Sequence, residues 1–278
     1  MAKKTIYSTT GGRLGNQLFE IIGGYSIATK YGCDYKVKYE YNPNSYPDRQ
    51  TYSTFINNLK RECGDDVFVE TIPPCSYVIQ DERSFNVMPQ SFFDEVISGN
   101  DTIKISHLLQ SEEYLNRELA HKVLDPSNET IEYITGKYGN LYNTVALSVR
   151  RGDYLHLKHI FVIPSERWYM DVYEKYFNWK DVLVSSDDID WCKRTLSFPK
   201  DVKVQYVVEN AETALSCMQM CWGGFIGSNS TFSWWGAYLG DNGTHEIVFP
   251  DTWFKPSYNK NNILCHNWTR EPLNGRKV

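Results

Sequence analysis

Short apolar runs rich in β-branched residues alternate along this chain with stretches whose apolar residues recur at helical spacing. That is the pattern of an α/β protein with parallel strands. A strand is predicted at 5–9, followed by the turn Gly11-Gly12-Arg13-Leu14-Gly15-Asn16-Gln17. A helix is predicted at 18–31, where Leu18, Ile21, Ile22, Tyr25 and Ala28 keep a helical spacing, and a strand at 34–39. From 41 to about 101 the pattern weakens among prolines and polar turns, and an irregular region able to shape a substrate cleft is expected. The second half is cleaner. Strands at 145–149, 182–185, 202–208, 224–226 and 247–249 alternate with helices at 165–177, 189–196, 211–221 and 232–239. Serial strand–helix units of this kind build a doubly wound sheet. Glycines and polar residues cluster at 135–143, which places a domain boundary there and divides the chain into 1–140 and 141–278.

Composition narrows the function classes. With 278 residues, of which 41% are hydrophobic, the chain can bury one large or two smaller cores. A net charge of −5 argues against nucleic acid as the main partner, because a phosphate backbone needs a basic field. The seven cysteines form no CxxC pair; Cys217 and Cys221 read as small apolar residues on one helix face, and reduced thiols fit a cytoplasmic protein. The N-terminal stretch shows no apolar run long enough for a signal peptide or a membrane span. The glycosylation-type triplets at Asn128, Asn229, Asn242 and Asn267 are therefore read as chance.

Four polar clusters fall at strand-to-helix turns, where open α/β sheets bind ligands. In the first, Gly11 to Gln17, glycines let backbone approach a ligand and the following helix offers N–H groups to an anion; the spacing does not match the dinucleotide fingerprint. The second is Ser148-Val149-Arg150-Arg151-Gly152-Asp153-Tyr154. Guanidinium forks match phosphate oxygens, so one arginine is expected to face a ligand while the other pairs with Asp153; a salt bridge that merely braces the loop is the competing reading. The third, Ser185 to Trp191, contains Asp187, Asp188 and Asp190. Asp188 and Asp190 read as residues of a helix N-terminus rather than a DxD metal cluster, and one carboxylate of the run can accept from a base or a sugar. The fourth, Gly227 to Gly236, sets Ser230, Thr231 and Phe232 before a helix that carries Trp234 and Trp235, which read as core. Together the clusters suit transfer from a nucleotide-activated donor whose diphosphate leaves with growing negative charge.

The segments GGRLGNQLFE, VRRGDY, SSDDIDWCK, SNSTFSWWGAYL and IVFPDTWF resemble, in order and spacing, the motifs of the α-1,2-fucosyltransferases, glycosyltransferase family 11. The resemblance implies an α/β fold of the GT-B type, two facing Rossmann-like domains with a nucleotide-sugar cleft between them. The C-terminal domain would hold GDP-fucose and the N-terminal domain the acceptor. It implies an inverting, metal-independent and cofactor-free transfer of fucose to the 2-hydroxyl of a galactose-containing glycan. Arg150 would grip the diphosphate, with Arg13, Gly15 and Asn16 approaching the same region. Ser230, Thr231 and Phe232 would meet the phosphates and base, and Asp187 would lie near the guanine. Where the family usually has a histidine two residues before the arginine pair, this chain has Ser148, which hydrogen-bonds but neither stacks nor carries charge. The segment 209–213 lacks a clean match to the family's acidic residue before the Met-containing helix. Asp153 is the first choice for a general base, ahead of His156 and His159. A fucosyltransferase making an α-1,6 or protein O-linked product, or a non-catalytic GDP-sugar or glycan-binding protein, are the other readings.

Overall fold

The computed structural model describes residues 3–39, 53–80, 87–255 and 263–273. It divides into two compact units, 1–125 and 126–278. The division therefore falls at Asp125/Pro126, before the expected 140/141. The helix α5 (Asn128–Tyr138) belongs with the second unit, because its Tyr138 and Lys137 are hydrogen-bonded to Glu209.

The first unit is built on a four-stranded parallel sheet. Its strands are β1 (Thr5–Thr9), β2 (Asp34–Lys38), β3 (Tyr77–Gln80) and β4 (Thr102–Ser106), in the order β2-β1-β4-β3. Helix α1 (Leu14–Lys30) joins β1 to β2 and begins four residues before the expected start. Gln17, read as a loop residue, is buried: its Nε2 donates to the Gly12 carbonyl at 2.9 Å and its Oε1 accepts from the Tyr39 hydroxyl at 2.9 Å. With its amide satisfied at both ends, this polar residue folds into the helix. The stretch expected to be irregular contains α2 (Ser53–Cys63), β3 and α3 (Gln90–Gly99); residues 41–52 and 81–86 of it lie outside the described residues. After β4 comes α4 (Arg117–Leu124), capped by the Asn116 side chain.

The second unit follows the expected strand–helix series closely. Its strands are β5 (Thr144–Val149), β6 (Asp181–Ser186), β7 (Val204–Tyr206), β8 (Gly224–Ile226), β9 (Ile247–Pro250) and an additional short β10 (Thr269–Glu271). All pair in parallel, in the order β7-β6-β5-β8-β9-β10. Numbered by appearance this is the doubly wound order 3-2-1-4-5-6, with its switch point between β5 and β8. Every residue of β5, β8 and β9 is buried, as strands covered on both faces must be. Val145, Leu147 and Val149 share one core cluster with Trp168, Tyr169, Val172 and Tyr173 of α6 (Glu166–Tyr176). The other helices are α7 (Ile189–Thr195), α8 (Ala211–Gln219) and α9 (Thr231–Gly240). Trp234 and Trp235 are fully buried, and Trp234 Nε1 donates to the Ile263 carbonyl at 2.8 Å, so the tryptophan pair is core. All seven cysteines are free thiols.

Candidate functional site

The carboxyl ends of β5, β6 and β8 place three of the four predicted clusters along one edge of the second sheet. Ser148 and Val149 pair in register with Ser185 and Ser186, so the loops after β5 and β6 leave the sheet side by side. Arg150 is the first residue beyond β5, and its side chain is only 15% exposed. Its Nη2 donates to Asp153 Oδ1 at 2.5 Å and its Nη1 lies 2.8 Å from Asp187 Oδ2. The guanidinium also sits over the Tyr154 ring, 5.0 Å from the centroid. Its Nε is buried and finds no hydrogen-bond partner among the described residues.

Arg151 turns the other way. It lies over the Trp191 ring at 3.9 Å and pairs with Asp188 at 3.3 Å. Asp188 caps α7, accepting from the Trp191 N–H, so it serves both a helix N-terminus and a salt bridge. Among the described residues no cluster of His, Cys, Asp or Glu is arranged to hold a metal ion. The expected division of labour is thus corrected. Asp153 pairs with Arg150, the arginine chosen for the ligand, and Asp188 is the partner of Arg151. Asp187 spans both loops, since its second oxygen accepts the Arg151 N–H at 2.9 Å. Gly152 is required beneath it: a Cβ there would lie 2.3 Å from Asp187 Oδ2. Ser148 is buried inside β5 at 5% exposure. His156 and His159 are exposed on the following loop.

The loop after β8 leads into α9. Ser230 occupies the N-cap without a side-chain hydrogen bond to the helix, and Thr231 and Phe232 are half-buried in its first turn. Helices α4 to α8 are all capped by the side chain of their N-cap residue, whereas the N-cap residue of α9 makes no such bond. Ser228, 0% exposed, buries a hydroxyl that faces the Tyr169 side chain and makes no well-formed hydrogen bond among the described residues, a feature that the sequence reading of this loop missed. Asn229 is a structural tie: its Nδ2 donates to the carbonyls of Val162, Thr252 and Trp253. At 1% exposure it is no glycosylation acceptor.

The remaining cluster lies at the switch point of the first sheet, between β1 and β4. Arg13 is exposed at the N-cap of α1, which also has no side-chain cap; Gly15 is buried and Asn16 half-buried in the first turn. Gly12 takes a φ of +68, open to glycine, and a Cβ there would lie 2.8 Å from Asn16 Nδ2. Gln110, after β4, donates to Asn16 Oδ1 at 3.0 Å. Beneath the turn the buried Glu20 accepts the Gly11 N–H at 2.7 Å, a clamp not foreseen because Glu20 sits within the helical pattern.

Comparisons with known proteins agree with this architecture. The chain is 33% identical over 142 residues to the O-antigen biosynthesis glycosyltransferase WbnK of Escherichia coli; that match covers 45% of this chain and only 44% of WbnK. It is 24% identical over 277 residues to an Escherichia coli α-1,2-colitosyltransferase, covering 90% of this chain and 92% of that one. Among solved structures it resembles the fucosyltransferase NodZ from Bradyrhizobium, with a TM-score of 0.52 at 14% identity over 86% of this chain and 94% of that one. POFUT1 in complex with GDP gives a TM-score of 0.51 at 14% identity over 89% and 98%. The fold is therefore α/β of the GT-B type, as expected. Among the described residues, no helix is long and apolar enough to cross a membrane. The model of Glycosyl transferase family 11 matches residues 82–271, more than half of the chain. The chain belongs to glycosyl transferase family 11.

Proposed function

We propose that this glycosyltransferase moves L-fucose from GDP-fucose to the 2-hydroxyl of a galactose-containing glycan, with inversion and without a metal or cofactor. The observation that carries the reading is Arg150, held at the carboxyl end of β5 beside the switch point of a doubly wound sheet. A guanidinium there meets the bridging and terminal oxygens of a leaving diphosphate. The α9 N-terminus at the end of β8 offers a second set of donors, with Ser230, Thr231 and Phe232 in its first turn. Arg13, Gly15 and Asn16 are the groups of the first unit nominated for substrate phosphate. Ser148 and Asp187 stand at the positions nominated for the base. Asp187 is also the brace of Arg150, and a buried Ser148 has less to offer a base than a ring would.

In this mechanism the glycosidic C–O bond to the diphosphate breaks ahead of attack, and the sugar passes through an oxocarbenium-like state. Arg150 and the α9 turn stabilise the charge that collects on GDP. The acceptor hydroxyl enters from the opposite face and loses its proton late. Asp153 is the nominated base, and its contact with Arg150 gives it an orienting role as well.

The similarity to an α-1,2-colitosyltransferase favours one second reading, with the same linkage but colitose as the transferred sugar. Colitose is fucose without its 3-hydroxyl, so the two donors compete for one site. The test is incubation with GDP-fucose or GDP-colitose and a panel of β-galactosides, followed by linkage analysis of the product. An α-1,2-fucosylated galactoside is the expected result. Transfer of colitose alone selects the second reading, and GDP binding without any transfer refutes an enzymatic role. Replacing Arg150 by Ala should lower turnover by roughly 10²–10³. A folded Arg150→Ala variant with near-normal transfer removes the central claim.

A further inference from the structure

Tyr154, Phe161 and Phe254 form a ladder of half-buried rings at the carboxyl edge of the second sheet. Tyr154 and Phe161 stack with centroids 4.0 Å apart and planes at 9°. Phe161 then meets Phe254 at 5.4 Å, and the backbones of these two residues form an isolated antiparallel bridge. The Lys255 N–H donates to the Ile160 carbonyl at 2.8 Å, which holds the same two segments together. Asn229 closes the arrangement from the loop after β8: it binds the carbonyl of Val162 on one side of the ladder and those of Thr252 and Trp253 on the other. At its far end the ladder meets the guanidinium of Arg150, 5.0 Å from the Tyr154 centroid.

We infer that Tyr154 is a positioning residue, whose ring sets the plane of the Arg150 guanidinium for the departing diphosphate. The inference rests on the donor assignment of Arg150 made above. The two carboxylates of Asp153 and Asp187 hold the Nη atoms, at 2.5 and 2.8 Å. Contacts to two edge atoms leave a planar group able to tilt about the line joining them. A ring beneath the cation, its centroid 5.0 Å from the central carbon, restricts that freedom, and the attraction of a cation for a π face supplies the force. The ring must itself be fixed, which the stack on Phe161 and the ties to Phe254 and Asn229 accomplish. Core packing does not explain the ladder, since none of its three rings is fully buried. The Tyr154 hydroxyl has no part in this role; the ring face does.

The difference matters because a group misplaced by about 1 Å can cost up to about 10²-fold in rate. The experiment measures kcat and KM for GDP-fucose in the full-length wild type and in Tyr154→Leu, Tyr154→Phe and Phe161→Leu. Turnover is normalised to sites that bind GDP by calorimetry. Tyr154→Leu should lower kcat by about 10-fold with KM within about 2-fold, because the cation is displaced where charge develops. Tyr154→Phe should stay within about 2-fold of wild type, since the ring face remains. Phe161→Leu, one ring further from the cation, should lower kcat by about 3-fold and supports the inference even if Tyr154→Leu fails to fold. Wild-type kcat in Tyr154→Leu or in a folded Phe161→Leu overturns the inference. So does a Tyr154→Phe variant as slow as Tyr154→Leu, or a Leu variant that raises KM alone. If the wild type binds no GDP and transfers no fucose, it is the donor assignment that falls, and the role of Tyr154 falls with it.

Discussion

Gly152 has no room for a side chain. The Cβ of an alanine would lie 2.3 Å from Asp187 Oδ2 and 3.0 Å from its carboxyl carbon. That carboxylate cannot yield freely, because one oxygen pairs with Arg150 and the other accepts the Arg151 N–H. Gly152→Ala should therefore push Asp187 away from Arg150 and lower kcat/KM by at least about 10-fold, as expected when a preorganised donor is misplaced. Overpacking of this kind should also cost about 1–3 kcal/mol of stability. Steady-state kinetics and thermal unfolding of the variant check both. The informative control is Gly152→Ala in an Asp187→Ala background, where no carboxylate is left to clash and the glycine change should cost little further stability beyond that of Asp187→Ala alone. If Gly152→Ala is as active as wild type, Asp187 does not fix Arg150.

At the scale of elements, the carboxylate of Glu209 fastens α5 to the loop after β7. Glu209, with its side chain 9% exposed, accepts from Lys137 Nζ at 2.5 Å, from the Tyr138 hydroxyl at 2.8 Å and from the Tyr133 hydroxyl at 3.2 Å. Burial by itself raises the Glu209 pKa, but the hydrogen bonds from Lys137 and Tyr138 outweigh it and hold the carboxyl below its ordinary value. A carboxyl whose pKa falls on folding stabilises the native state above the unfolded pKa and loses that contribution as pH drops through the folded one. Glu209→Gln should therefore cost about 1–3 kcal/mol near neutral pH, the usual worth of hydrogen bonds to a charged group. The gap between variant and wild type should begin to narrow as pH falls through the ordinary glutamate range, about 4, and close only below the lowered folded pKa, where the wild-type carboxyl is protonated too. Urea unfolding at several pH values measures this. A gap of constant size at every pH would show that the charge of Glu209 does not matter.

Elements also show what the sequence makes legible. The strands β5, β6, β8 and β9 stand out because parallel strands covered on both faces are apolar runs, and the helices between them keep a clean period. In the first unit α2 buries only Phe55 and Leu59, and β3 only Ile79, so their patterns hardly differ from loop. The turns that carry the candidate site are legible for a related reason: glycines, arginines and hydroxyl residues gather where strands end. Their pairings are not. Asp187 meets Arg150 through the register of β5 with β6, from 37 positions along the chain, and local spacing suggested Asp153 for the other arginine. The clamp of Glu20 on Gly11 and the tie of Asn229 to three carbonyls are likewise products of tertiary structure.

For the whole molecule, the contact of α5 with Glu209 decides where one unit ends. A cut at 140/141 removes α5 and with it Ile134 at 0% and Tyr138 at 5% exposure, besides leaving Glu209 without Lys137 and Tyr138. Burying two such side chains is worth about 1.5–3 kcal/mol each, so the loss is about 3–6 kcal/mol. Domains of this size are stable by about 5–15 kcal/mol, so a deficit of that order is a large part of the total. The second unit has its own doubly wound sheet and core, which the fragment 126–278 retains whole. That fragment should unfold cooperatively and bind GDP by calorimetry, with Arg150 and the α9 turn intact. The fragment 141–278 should be less stable by about 3–6 kcal/mol in urea titrations or fail to fold. Equal stability of the two would make α5 dispensable and return the boundary to 140/141. A folded 126–278 fragment that binds no GDP while the whole chain does would assign the missing grip to Arg13, Gly15 and Asn16 of the first unit, because the sheet, the loops and Arg150 would all be present in the fragment.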